Sequence, residues 1–360
     1  MFKRVLMAVA VAAAVSAPAF AEVAISGSAE MDLFVRTNQG VDKDTNLSEE
    51  IAIVVNIDGK DKLDNGDTLK WRLAQKVATD YRYDSFGKRE AWIGYAGTWG
   101  ELRFGNQFTN AYLTLDWPYG RAGQGVLTSD FGAYESRWGD AISYFSPNFG
   151  GFNFTAQYKI GNTGSSNAGE GYDLGLNYDG GAFAVNAGYQ YRADALVAEA
   201  PFKNGNFQTV ITKDTSGDSS SVAFVGARGS IGDFAGHVLV KRNYWETNVG
   251  DVTMDQWAIL GMYQMGKSSF RLGYQQMLDT KLSRGADVND GVQQINAAWH
   301  YGISKNSEFF VQARYSMYDS GAQARKFDGG ANIDWKESTV SAANNSKNNA
   351  RLLVGTWTGF

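Results

Sequence analysis

The chain has 360 residues, no cysteine and a formal net charge of −5, which excludes disulfide staples and the basic footprint of a nucleic-acid binder. Beyond its first residues no apolar run approaches the ~18 that a spanning helix requires, so a helical membrane protein is excluded. Forty-two glycines against four prolines, with 21 Phe, 18 Tyr and 10 Trp, suit many short strands with aromatic rims. A mean hydropathy of −0.32 fits a barrel in which only alternate residues meet lipid.

At the N-terminus, Lys3 and Arg4 precede an apolar stretch from Val5 to Val15, and Ala19-Phe20-Ala21 follows as a small-x-small site. Residues 1–21 therefore read as a cleavable export signal, too short to span a bilayer, with the mature domain running from 22 to 360. The next segment alternates. Val23, Ile25, Gly27, Ala29, Met31, Leu33 and Val35 fall on one parity, and every charge of the stretch (Glu30, Asp32, Arg36) on the other. Successive strand residues point to opposite faces, so this is a strand with one apolar and one wet side.

The same pattern recurs. Phe152, Phe154, Ala156 and Tyr158 oppose Asn153, Thr155, Gln157 and Lys159, and Phe309, Val311, Ala313 and Tyr315 oppose Glu308, Gln312, Arg314 and Ser316. Strands are predicted near 23–36, 49–57, 68–77, 88–96, 101–107, 140–146, 152–160, 171–179, 182–192, 220–231, 234–245, 255–265, 269–279, 291–303, 308–318 and 350–360. That is about sixteen, and the connections alternate between tight glycine turns and long links near 37–48, 108–139, 193–219 and 319–349. The link from Asp58 to Asp67 reads as longer than the other tight ones. Such dyads also occur in soluble sandwiches. The export signal, the strand number and the terminal Phe360 favour an all-β transmembrane antiparallel barrel, one domain, in the outer membrane.

Aromatics near strand ends (Trp92, Tyr158, Tyr178, Trp257, Trp299, Tyr301) are candidates for the interfacial rims. Catalytic chemistry is weakly represented. His237 and His300 are the only histidines and fall on different predicted strands, so neither a zinc site nor a triad is expected. Gly217-Asp218-Ser219 sits in a polar loop stretch, and the acidic run from Asp58 to Asp67 lacks calcium-loop spacing. No enzyme activity, metal or cofactor is expected.

Several blocks carry a family resemblance: Arg89 to Tyr95, Gly100 to Gln107, Phe108 to Tyr112, then Tyr144 to Pro147 with Phe149 to Phe152. In this order they resemble the trimeric general porins of Gram-negative bacteria, nearest to the betaproteobacterial and neisserial branch. The resemblance implies a 16-stranded barrel, assembled as a homotrimer, whose third loop (about Phe108 to Asp140) folds inward as a constriction. It also implies outer-membrane lipid, lipopolysaccharide, small solutes and ions as partners, and passive diffusion as the function. By the same resemblance Asp116, Asp130 and Glu135 are the loop acids, and Arg72, Arg89 and Arg103 the basic wall. Where relatives often carry a basic residue on the first strand this chain has Ser28, with Glu30 and Asp32 on the same face, and Glu50 stands at the comparable place on the second strand; this acidic wall gives the expectation of a weak cation preference. The final strand departs from the family in having Thr358 two residues before Phe360. A substrate-selective channel, or a surface adhesin or receptor using the loops at 193–219 and 319–349, stays open beside the general pore.

Overall fold

Strands that are apolar on one face only must shelter that face, and this chain does so by curling one sheet into a ring. The computed structural model describes residues 22–39, 44–78, 82–83, 85–120, 127–130, 132–161, 169–193, 219–246, 250–284, 289–319 and 347–360. Its first strands are β1 (Glu22–Gln39), β2 (Asp44–Lys62), β3 (Thr68–Ala78), β4 (Glu90–Gly97), β5 (Gly100–Phe108) and β6 (Arg137–Phe145). Then come β7 (Phe152–Lys159), β8 (Gly171–Asp179), β9 (Phe183–Ala193), β10 (Ser219–Ile231) and β11 (Phe234–Glu246). The last are β12 (Val252–Met265), β13 (Ser268–Met277), β14 (Val292–Gly302), β15 (Ser307–Tyr318) and β16 (Asn348–Gly359). Two short pieces, Arg82–Tyr83 and Lys281–Leu282, pair beside β3 and β12.

Each strand pairs antiparallel with the next, and β1 also pairs with β16 from Ser28 opposite Gly359 to Arg36 opposite Arg351. Phe360 completes this seam through two backbone bonds with Gly27, at 3.0 and 3.1 Å. The sheet is thus closed, and no edge is left for another chain to add to. Each of the sixteen predicted strands has its counterpart. Two links were read as too long: β1 and β2 are extended to Gln39 and from Asp44, and β2 pairs as far as Lys62, leaving a turn over 63–67. The two-residue links at Gly232-Asp233 and Gly266-Lys267 turn through left-handed glycines, with φ of 56° and 58°. The expected export signal, and most of the links at 193–219 and 319–349, lie outside the described residues.

The apolar parity faces outward. Ile25 is 67% exposed and Leu272 63%, whereas Asp32 is 2% exposed. A water-soluble sandwich would show the reverse, so this band is built to be covered by lipid. Two rows of outward aromatics bracket it. One runs through Tyr158, Tyr172 and Tyr191, with ring centroids 5.5 and 6.3 Å apart, and on to Trp257 and Tyr274 at 5.2 Å. The other includes Tyr178–Phe183 at 5.6 Å, Phe234–Tyr263 at 4.7 Å and Trp299–Phe309 at 5.9 Å. Trp92 does not join them. It shares the inward parity of Arg72 in register and is buried. From β16 through β3 the first of these rows, the upper one at the long-loop end, lapses: among the described residues, the outward aromatics there are Trp71 and Phe360, both at the short-turn end.

The main apolar clusters lie inside the ring, between loop and wall. Ala111, Leu115 and Tyr119 pack on Val222, Phe224 and Leu239, and Ala133 packs with Trp245, Met254 and Met277.

Candidate functional site

The site is the segment that leaves β5 and returns to β6 through the lumen. It departs at a bulge: Gly105 has φ of 119°, and the β5–β6 register shifts between Gly105 and Gln107. Thr109 caps helix α1 (Asn110–Asp116) by accepting from the Tyr112 amide at 3.2 Å. A short helix α2 (Leu127–Asp130) follows, and the chain rejoins the wall at Arg137.

Inward amide and acid side chains hold this loop by its backbone. The Asn110 amide donates to Gln157 Oε1 at 2.6 Å, and the Ala111 amide to the buried Asp173 Oδ2 at 2.9 Å. Gln190 accepts from the Glu135 amide at 2.6 Å and donates to Asp173 at 2.9 Å. Farther round, Thr128 donates to Gln275 at 2.9 Å through its hydroxyl, Ala133 to Asn243 at 2.9 Å, and Lys241 Nζ to the Thr128 carbonyl at 2.6 Å. The wall is cut away to admit the loop. A Cβ on Gly175 would lie 2.2 Å from the Asn110 side chain, and one on Gly226 would lie 2.3 Å from the Tyr119 ring. The loop is therefore fixed at both ends and in the middle.

The predicted site residues separate into three settings. Glu135 is a strut: its carboxylate meets Lys159 Nζ and Arg192 Nη1, each at 3.1 Å. Burial pushes its pKa up, but the charges of Arg192 and Lys159 outweigh this and hold it below the ordinary carboxylate value. Asp116, at the end of α1, is open to the lumen. The surrounding protein raises its pKa, opposed by a hydrogen bond with Tyr112 and by the positive charges of Arg89 and Lys76. Arg89 thus faces the loop acid, and its guanidinium stacks on Phe108 at 5.0 Å. Asp130 ends α2, and its side chain lies outside the described residues.

Arg72 and Arg103 belong to an ion-paired ladder on β2 to β5. Arg72 binds Asp58 in bidentate fashion, at 2.7 and 3.0 Å, and reaches Glu90 at 3.3 Å. Glu101 takes Lys70 at 2.7 Å and Arg103 at 2.5 Å. The Arg103 guanidinium lies over Trp92 and Phe145 at 4.3 and 4.4 Å. Three cations thus meet three carboxylates. Glu30 and Glu50 share the inward parity on β1 and β2, with Asp32 directly opposite Glu50, and Glu50 is buried.

Sequence reasoning missed Lys76, Lys70 and the acids Asp58, Glu90 and Glu101. Parity was the available signal: Lys70, Arg72 and Lys76 are spaced by even numbers on one strand, so all take one face. His237 is buried against the Tyr119 ring, 5.9 Å away, and His300 pairs with Glu308 at 3.2 Å.

A family model described as Gram-negative porin matches residues 8–321. The chain is 28% identical to the chitoporin of Vibrio furnissii over 59% of each protein. It is 34% identical to the major outer membrane protein P.IB of Neisseria lactamica, over 36% of this chain and 40% of that protein. These matches span less than two thirds of either relative's length. Among solved structures, an anion-selective porin from Comamonas acidovorans superposes with a TM-score of 0.73 at 15% identity, over 95% of this chain and 100% of that one. The trimer form of OmpT from Vibrio cholerae gives 0.69 at 15% identity, over 94% and 99%. At that identity the shared property is the fold.

Proposed function

Because this chain belongs to the Gram-negative porin family, we propose that it forms a water-filled outer-membrane pore through which ions and small hydrophilic solutes diffuse passively, without catalysis. The observation that carries this reading is the closed barrel whose loop is tied inside the lumen and whose charged wall residues face that loop. A loop held by its backbone narrows the passage at a fixed aperture, and the aperture sets the size limit.

The pore is proposed to prefer cations weakly. Pairing of Lys70, Arg72 and Arg103 with Asp58, Glu90 and Glu101 leaves little net positive charge on that wall, and on the neighbouring β1 and β2 the inward Glu30, Asp32 and Glu50 outnumber Arg36. A homotrimer is proposed with β16 through β3 as its buried face. The lapse of the upper aromatic row supports this, since a wall facing another protein needs no interfacial anchor. Lipid and lipopolysaccharide are expected around the rest of the barrel, and the mature chain is proposed to begin at Glu22.

The test is single-channel recording of the refolded mature protein in a planar bilayer with a salt gradient. Steps in groups of three with reversal toward cations are expected. Reversal toward anions would keep the pore and reject the selectivity. A heat-modifiable barrel that never conducts would reject the pore.

A further inference from the structure

The turn over 63–67 plays no part in the pore reading, yet it is the most heavily bonded of the short ones. It holds Asn65-Gly66, the one Asn–Gly pair among the described residues, exposed at the short-turn end. Glycine adds no side chain to shield its own amide nitrogen, so in such a pair that nitrogen can attack the asparagine before it. The Gly66 nitrogen loses its proton to hydroxide and bonds to Asn65 Cγ. The Cγ–Nδ2 bond breaks, and Nδ2 leaves as ammonia with a proton taken from water. Water then opens the cyclic imide. Opening at Cγ leaves an aspartate; opening at the backbone carbonyl leaves an isoaspartate, with the chain rerouted through Cβ and Cγ.

In this turn every polar atom of that reaction is engaged. The Gly66 amide donates to the Leu63 carbonyl at 2.9 Å. Both N–H bonds of Asn65 Nδ2 are used, on the Tyr95 hydroxyl at 2.6 Å and on Asp67 Oδ2 at 3.2 Å. The Asp67 amide donates to Asn65 Oδ1 at 3.0 Å, an Asx-turn. That last bond draws electrons from Cγ and favours attack, so the restraint lies with the two nitrogens. The clamp is built from outside the turn. The Tyr95 ring stacks on Trp99 at 5.9 Å, and Trp99 on Tyr144 at 6.3 Å, whose hydroxyl donates to the Trp99 carbonyl at 2.7 Å. Asp67 Oδ1 occupies the notch at Gly97, where a Cβ would collide with it. We propose that Asn65 is a latent deamidation site, which the fold keeps unmodified by clamping its leaving nitrogen to Tyr95. Isoaspartate would add a backbone atom to a turn closed by the Leu63 amide on the Asp67 carbonyl at 2.9 Å, loosening the hairpin that pairs Asp58 with Arg72.

The experiment incubates the whole assembled protein at mildly alkaline pH, beside the same protein unfolded in urea, and follows conversion of Asn65 to aspartate and isoaspartate by mass spectrometry. The unfolded chain is expected to convert about a hundredfold faster, since the folded site must first open three hydrogen bonds. Tyr95→Phe keeps the ring stack, removes the hydroxyl and should speed the folded reaction about fivefold. Tyr178→Phe, another outward tyrosine of the same rim, should leave it unchanged. Equal rates in the folded and unfolded protein would overturn the clamp. No conversion of Asn65 in the unfolded chain would overturn the site itself. An unchanged rate in an assembled Tyr95→Phe barrel would overturn the part given to Tyr95.

Discussion

The two halves of the inner wall differ in how they use polarity. From β7 to β13 the inward groups that touch the loop combine uncharged amides (Gln157, Gln190, Asn243, Gln275) with the charged Lys159, Asp173, Arg192 and Lys241, and all are bonded to loop backbone, hydroxyl or carboxylate. From β2 to β5 the inward wall carries charges bonded to one another and partly open to the lumen. An amide can be buried at modest cost once its bonds are made, so it suits a permanent joint. A charge keeps its value only where water or a partner reaches it, so it suits the face that ions pass. One half holds the loop, and the other sets what the loop confronts.

Breaking the holding half should have the largest effect. Asp173→Leu removes the acceptor of the buried Ala111 amide, unmatched at about 1–3 kcal/mol, and one of the two acceptors of Gln190 Nε2. The expected outcome is an assembled barrel that melts lower on heated gels and a larger, noisier single-channel step.

Glu135 gives a pH handle on the same half. Its folded pKa is depressed, so its contribution is fully present above the ordinary carboxylate value and is lost as pH falls through the folded value. Melting should therefore drop in acid, below the ordinary carboxylate range. Glu135→Gln should flatten that acid limb while lowering neutral-pH stability by about 1 kcal/mol, since the pair is partly screened. A melting profile against pH for the two proteins checks both parts.

The charged half should respond in selectivity more than in stability. Arg72→Ala leaves Asp58 and Glu90 uncompensated, so the reversal potential should move toward cations, with a melting change of under about 1 kcal/mol. If Arg72→Ala instead melted as low as Asp173→Leu, the division between the halves would be wrong.

Much of this fold was legible in the sequence because the bilayer enforces alternation residue by residue. Legibility stopped where that enforcement stops. Asn38, Gln39, Asp44 and Asn46 read as loop since both parities are polar, yet the strands continue through them, pairing beyond the apolar band. Trp92 failed for the opposite reason. In the run Ala91, Trp92, Ile93, Gly94, Tyr95 no polar set marks the inner face, and aromatic preference for strands does not say which way a ring points. Of the site, Asp116 and Arg89 are brought into electrostatic contact. The inward parity of Gln157 and Lys159 was readable, but which loop amide or carboxylate each would meet depends on tertiary approach. The glycine gaps at Gly175 and Gly226 have no local signature at all.

The seam between β1 and β16 has a kinetic consequence. It brings Asn38 within hydrogen-bonding distance of Asn348, 310 positions away along the chain. Bringing together the ends of so long a loop is the slowest kind of pairing available to a chain, because its entropy is lost before any ladder bond returns it. Until it forms, both flanking strands are raw templates that a neighbouring nascent barrel could join. The vulnerable species in biogenesis is therefore the nearly finished, still open sheet, and its characteristic failure would be two chains stitched edge to edge.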